Sequence, residues 1–272
     1  MQSFANWDWL PEFLEYNVVA VAAAVLVVLA LERIGATTPQ PASRWRLNVL
    51  LYILYAAVAA LAAAGGFDRL FDLARTSTGG PWFKLPPPAG LTGQGVHLLL
   101  ALLVYDFFQY WVHRAMHRLP WLWRLHKLHH SDAALHATTA LREHWLQPLF
   151  VPLLIWVPVV VLFQFSPPAI WPLVITGVFV LSHGNLRWHW GAFGRVLVGP
   201  QYHRIHHSRL PQHRDHNFAD IFPFWDWLFG TAAWPKRNDF PPTGLTTGLS
   251  AEGEPLALMA ALGGAGRRTV VN

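Results

Sequence analysis

Two long runs of apolar residues decide what this chain can fold into. Asn17 to Ile34 and Leu47 to Phe67 are nearly uninterrupted, and each meets the length of about 20 residues that a bilayer crossing needs. A third run, Val96 to Val112, contains Asp106 and Gln109. A fourth and a fifth, Leu149 to Phe165 and Ile170 to Ser182, flank Ser166-Pro167-Pro168. Both are short, so they either cross the membrane or form a tilted, half-penetrating hairpin. Charged residues make up only 13% of the 272 residues, where a soluble domain carries about 25%. Fifteen tryptophans and seventeen phenylalanines add rings that favour the membrane interface.

The basic residues orient the runs. With the N-terminus outside, all of the 20 Lys and Arg residues except Arg69, Arg75 and Lys84 fall on the inner side, as the positive-inside rule requires. The segment Met1 to Tyr16 has Asp8, Glu12 and Glu15 but no Lys or Arg. That charge is wrong for a cleavable signal, and the first run is expected to be a retained span. Thr76 to Gly95 reads as an irregular external loop, and Pro241 to Asn272 as a poorly ordered tail. The net charge of +5 is read as topology and attraction to anionic lipid; no nucleic-acid partner is expected.

Chemistry enters through the fifteen histidines. His113 and His117 are four apart and share a helical face. His126, His129 and His130 fall at i, i+3 and i+4, and His203, His206 and His207 repeat that spacing. Solvating so many imidazoles on an apolar chain gains nothing structurally. The pattern therefore points to a polynuclear metal site, in which each cluster gives two rings to one ion and a third ring to its neighbour. With no cysteine in the chain, thiolate zinc sites and cysteine-bound iron–sulfur clusters are excluded. Asp106 lies seven residues before His113. It has two readings: it orients a ligand histidine through the second ring nitrogen, or it packs between helices against a tyrosine or tryptophan.

These residues together resemble the fatty acid hydroxylase and sterol desaturase superfamily of membrane enzymes. The resemblance includes Tyr105-Asp106-Phe107-Phe108-Gln109-Tyr110-Trp111-Val112-His113-Arg114 before the first histidine box. It continues through His130-Ser131 and Thr138 to Arg142, His183-Gly184-Asn185, and Pro200 to Ser208. It closes with Asn217-Phe218 and Trp225 to Thr231. It implies that His183 joins the eight clustered histidines as a ligand. It also implies supporting positions at Asp106, His144, Asn185 and Asn217. The implied centre is two iron ions, with zinc an alternative as isolated, and dioxygen as co-substrate. The implied reaction is hydroxylation or desaturation of an unactivated C–H bond in a lipid such as a fatty acyl chain or sterol. The resemblance also implies a separate electron donor, a ferredoxin or cytochrome with its reductase. The sequence departs from the family's pattern at Gln147, where a Glu is frequent, at His136, where an Asn is common, and at Ala219, where a Gly is frequent. His136 reads as a variable loop residue. His97, His189, His213 and His216 have no motif support and read as interfacial or surface residues.

The expected fold is all-α: an integral membrane bundle of about four to five membrane helices under a cytosolic, histidine-rich helical cap. Residues 1–95 supply the N-terminal helices and external loop, 96–232 the catalytic region, and 233–272 the tail. Two other readings compete. A metal transporter or storage protein would want a polar path across the bilayer, and a zinc hydrolase needs only about three protein ligands.

Overall fold

The structure, a computed structural model, describes residues 9–37, 43–64, 66–164, 166 and 168–245. The acidic Asp8, the Arg267-Arg268 pair and most of the expected tail lie outside the described residues. Three long helices are α1 (Trp9–Gly35), α2 (Ser43–Ala64) and α4 (Gly90–Arg118), and all three are long and apolar enough to cross a membrane. The fourth and fifth apolar runs form two 12-residue helices, α6 (Val151–Leu162) and α7 (Trp171–Ser182). Outward-facing side chains on the long helices are apolar, among them Leu26, Ile53, Leu61 and Leu99, which suits a lipid surround.

α1 shows how a span in lipid finds its partner. Ala20, Ala24 and Val28 are buried at four-residue spacing, and this small-residue stripe admits close approach of a neighbouring helix. α1 packs on α7, and Ala24, Val25 and Val28 join Ala137, Ala140, Leu141 and Val180 in one core cluster. One turn on, Glu32 Oε1 accepts the backbone N–H groups of Ala137 and Asn185, both at 2.8 Å. A membrane helix thereby ties down the chain beside two of the histidine segments.

The segment between Arg118 and Val151 is held by a buried polar network. Arg142 Nε donates to Leu128 O and Ser131 Oγ, and its Nη1 donates to Asn48 Oδ1 on α2. Asp132 accepts from Thr139 Oγ1 at 2.8 Å. Burial works to raise the Asp132 carboxyl, but Arg142, His136 and these hydrogen bonds outweigh it and hold it below the usual range. His136, expected in a variable loop, is buried and caps the 3-10 turn Ala137–Leu141.

Short helices complete the fold: α3 (Phe67–Ser77), α5 (Pro120–His126), α8 (Pro200–His206) and α9 (Phe224–Leu228). Proline stands in the first turn of α5, α6, α7 and α8, where its missing N–H leaves no bond unmade. α3 lies between the expected second span and external loop, overlapping them only at Phe67 and at Thr76 and Ser77, and packs against α6. Two-residue strands, β1 (Phe83–Lys84) and β2 (Phe163–Gln164), pair in parallel.

Two expectations are corrected. His97 is buried rather than interfacial: its Nε2 donates to Pro86 O at 2.9 Å and its Nδ1 accepts from Ser166 N at 3.0 Å. Residues 241–245, expected to be poorly ordered, pack on α8: Pro241 O accepts from Arg204 Nε, and Gly244 N donates to His207 O.

Candidate metal centre

α4 carries the first two histidines to the site. Its 29 residues span about 44 Å, more than the roughly 30 Å hydrocarbon core. A helix of that length can cross the core and still place its last turns, with His113 and His117, beyond it. α5 ends at His126, and a 3-10 turn follows with His129 and His130. The single helical face expected for this cluster is thus broken between its first and second members. α8 presents His203 and His206 and is closed by His207. His183 follows the last residue of α7. A Cβ at Gly184 would meet Leu181 O at 2.9 Å and Val28 Cγ1 at 3.1 Å, so glycine after His183 lets this turn lie against α1.

The nine histidines gather into two buried groups. His113, His117, His126, His130 and His206 form one; His129, His183, His203 and His207 form the other. Within each group one ring nitrogen per residue lies within 4.8 Å of the rest. The second and third clusters are both split between groups, with His129 and His206 crossing over. The groups adjoin: the rings of His130 and His207 stack at 4.4 Å, and those of His129 and His207 are 4.7 Å apart.

Ring nitrogens meet directly. His183 Nε2 is 3.0 Å from both His129 Nε2 and His203 Nε2. His203 Nε2 is 3.1 Å from His207 Nε2. In the other group the pairs His113–His126 and His117–His130 each bring Nε2 atoms to 3.1 Å. The outer nitrogens set the tautomers. His113 Nδ1 donates to Phe218 O at 2.8 Å, His183 Nδ1 to Phe179 O at 2.7 Å, and His206 Nδ1 to His216 O at 2.8 Å. Each of these neutral rings then turns an Nε2 lone pair inward, and among the described residues His206 Nε2 has no partner. Bonding of the outer nitrogen to a carbonyl or carboxylate is characteristic of metal-bound histidine.

Electrostatics agree with neutral imidazoles. Burial, then the neighbouring rings, pushes His126, His130, His203 and His207 well below the ordinary histidine range. His183 and His206 are pushed the same way despite the carbonyls that partly offset it. A set of neutral imidazoles suits iron, zinc, copper or nickel. Nε2 spacings of 3.0–3.1 Å fit nitrogens that each lie about 2.0–2.1 Å from a shared ion. Each group can hold a metal ion.

Carboxylates complete the surround, and sequence reasoning missed three. Glu143 Oε1 is 3.0 Å from His129 Nδ1, Asp215 Oδ1 is 3.6 Å from His117 Nδ1, and Asp220 Oδ1 is 3.8 Å from His113 Nδ1. Burial raises the Asp220 carboxyl to about 7, against the lowering effect of a hydrogen bond from Gln109. Gln147 Nε2 donates to Glu143 Oε2, so a carboxylate does stand beside Gln147, supplied from four residues earlier. The chain has only 15 acidic residues, and their closeness to histidine segments was the available signal.

The expected supporting residues mostly hold backbone. Asp106 meets neither of its two readings: its carboxylate accepts the N–H groups of Asp220, Ile221 and Phe222 at 3.0, 3.0 and 2.7 Å. It thereby positions the loop that carries Asp220. Asn217, at φ 61°, donates to Tyr202 O and Ala233 O and accepts from Ala233 N. Asn185 Oδ1 accepts from Thr37 N at 3.2 Å. His144 is buried, and its Nδ1 accepts from Leu146 N. Asp226, not singled out from sequence, accepts from Phe218 N, Ala219 N, Tyr202 Oη and Thr231 Oγ1.

Beside the histidines lies a cavity of about 300 Å³. Its walls come from α1, α2, α4, α6 and α7, and His113, His126, His129 and His203 border it. The geometry is thus a pair of imidazole nests at the end of a largely apolar chamber between three membrane-length helices and two shorter ones.

Residues 98–231 match the fatty acid hydroxylase family. This match supports the resemblance to the fatty acid hydroxylase and sterol desaturase superfamily. It is 32% identical over 152 residues to an alkylglycerol monooxygenase of Caenorhabditis elegans, covering 55% of this chain and 29% of the relative. It is 31% identical over 150 residues to an ornithine lipid hydroxylase of Rhizobium tropici, covering 55% and 45%. It is 27% identical over 150 residues to a very-long-chain aldehyde decarbonylase of Oryza sativa, covering 54% and 49%. The chain spans half or less of the length of each of these three. No solved structure matches it.

Proposed function

We propose that this protein is a membrane-bound non-haem di-iron oxygenase that hydroxylates, or desaturates, an unactivated C–H bond of a lipid such as a fatty acyl chain or sterol. The observation that carries this reading is the pair of adjoining histidine groups at the end of the apolar cavity. His113, His117, His126, His130 and His206 hold one iron; His129, His183, His203 and His207 hold the other. When bound, the irons supply the oxidising power toward dioxygen that side chains lack. For hydroxylation the balance is R–H + O2 + two electrons + two protons → R–OH + H2O.

The protein's own residues do the rest. Phe179 O, Phe218 O and His216 O fix three ring tautomers. Glu143 and Asp215 stand by two more outer nitrogens, and Asp220 lies near the His113 nitrogen already bonded to Phe218 O. The apolar walls exclude water and admit a lipid from the bilayer. Residues 96–232 form the catalytic region, with the histidines on the cytosolic face. Exposed Arg118, Arg209 and Arg214 flank the histidine segments and suit an acidic one-electron carrier, a ferredoxin or a cytochrome with its reductase.

The test is metal analysis of protein purified in mild detergent, with His129→Ala as control. Close to two irons per chain, reduced in the variant, together with an oxygen-dependent mass gain in added lipid, supports the reading. A single zinc independent of His129 overturns it.

A further inference from the structure

We propose that the loop 187–196, between α7 and α8, lies in the headgroup layer of the bilayer, with Phe193 and Val196 in lipid and Arg187 and Arg195 among the phosphates. The proposal does not depend on the oxygenase reading; it concerns how the histidine-bearing region sits on the membrane.

The chain enters this loop at the end of a span. α1 is apolar enough to cross a membrane as far as Gly35. Gly35 O accepts the N–H of Arg187 at 3.0 Å, and Thr37 N donates to Asn185 O at 3.1 Å. A Cβ at Gly35 would stand 3.9 Å from Trp188 Nε1. Trp188 therefore stands at the level where α1 leaves the hydrocarbon, a depth that favours tryptophan rings.

What the loop turns outward suits that level. Trp188, Phe193 and Val196 are 36%, 53% and 58% exposed. Trp190 joins the rings into one patch: its ring is 5.2 Å from that of Phe193, and with Trp188 and Arg195 it lines a hollow of about 430 Å³. Single exposed apolar residues are ordinary, but several gathered in one short loop mark a contact surface. Arg187 and Arg195 are exposed as well, and the sequence holds no Asp or Glu between Glu143 and Asp215. Rings and aliphatic side chains flanked by bases suit phosphate headgroups over acyl chains. A second copy of the loop would set arginine against arginine.

The loop is braced against the metal centre. A Cβ at Gly199, just before α8, would lie 2.8 Å from Trp190 Cδ2, so the indole rests on that backbone. His189 Nδ1 donates to Gln201 Oε1 at 2.8 Å. Gln201 belongs to α8, the helix of His203 and His206. Contact of the loop with the bilayer thereby sets the height of α8 above it.

The chain has no cysteine, so a single introduced cysteine takes a nitroxide label alone. Phe193→Cys, Val196→Cys and, as a lipid reference on the outer face of α1, Leu26→Cys are labelled in the full chain. Each is placed in vesicles of phosphatidylcholine and phosphatidylglycerol. Collision with oxygen, which concentrates in lipid, is compared with collision with a neutral, water-soluble nickel chelate. Both loop labels are expected to lie about 5–10 Å into the boundary between headgroups and acyl chains, open to oxygen, shielded from nickel and shallower than Leu26. Should one loop variant not fold, the other carries the test. Nickel access equal to that of the free label in water overturns the proposal. So does shielding from both reagents, which would mean that a protein covers the loop. A Leu26 label open to nickel would remove α1 as the span that sets the level, and the proposal with it.

Discussion

His183 Nε2 lies 3.0 Å from His129 Nε2 across 54 residues of sequence. The outer nitrogen of His183 donates to Phe179 O, so the inner one faces His129 with a lone pair. Two such atoms at that distance repel unless one carries a proton or both share a cation. His183→Ala removes a ring from the four-histidine group and leaves all five rings of the other. The variant is expected to keep about half of the wild-type metal, as read by elemental analysis of purified protein. Full retention would remove His183 from the ligand set.

Glu143 stands against the outer nitrogen of His129 and receives the Gln147 amide. A carboxylate against the outer nitrogen orients a ring for metal binding. Glu143→Gln keeps the size and loses the charge. It is expected to weaken metal retention about 10- to 100-fold, measured by competition with a calibrated chelator. Retention within twofold of wild type would show that the contact is incidental.

Asp106 acts through backbone. Three consecutive N–H groups, from Asp220 to Phe222, converge on its carboxylate. In Asp106→Asn only one side-chain oxygen remains to accept, and an amide N–H group faces backbone donors. The expected cost is about 2–4 kcal/mol, seen as a lower midpoint in thermal unfolding of the detergent-solubilised protein. A midpoint equal to that of wild type would show that the loop is held by other contacts.

The histidines were legible because their clustering has few structural uses, and the spans because a bilayer demands length. The partition of the rings was legible only in outline. The i, i+3, i+4 spacing indicates that one ring of each cluster crosses over, but which rings meet depends on the 3-10 turn at His129. Asp106 shows the limit most clearly. From sequence, a buried acid two turns from a histidine reads either as that histidine's partner or as a helix-packing acid bonded to a tyrosine or tryptophan. Its actual partners are main-chain donors 114 to 116 residues away, and backbone N–H groups leave no trace in side-chain patterns. His97, read as interfacial or surface, is buried for a related reason: its partners are Pro86 O and Ser166 N. α3 went unread because Phe67–Ser77, with Asp68, Arg69, Asp72 and Arg75, lies almost wholly between the second apolar run and the Gly/Pro-rich stretch and belongs to neither pattern.

Acid should separate the empty protein from the loaded one. His126, His130, His183, His203, His206 and His207 are all held well below their ordinary value of 6.5, first by burial. A lowered value means that the folded state binds protons less readily than the unfolded chain. Their contribution to stability is therefore fully present above about pH 6.5 and is lost as pH falls toward the folded-state values. Chelator-treated protein is expected to unfold at a lower temperature at about pH 5.5 than at about pH 7.5. Metal-loaded protein resists until protons displace the ions, so its midpoint should fall later and together with metal release. Thermal unfolding of both forms across this range is the check. A midpoint of the chelated form that is flat with pH would mean that the imidazoles are not kept neutral by burial.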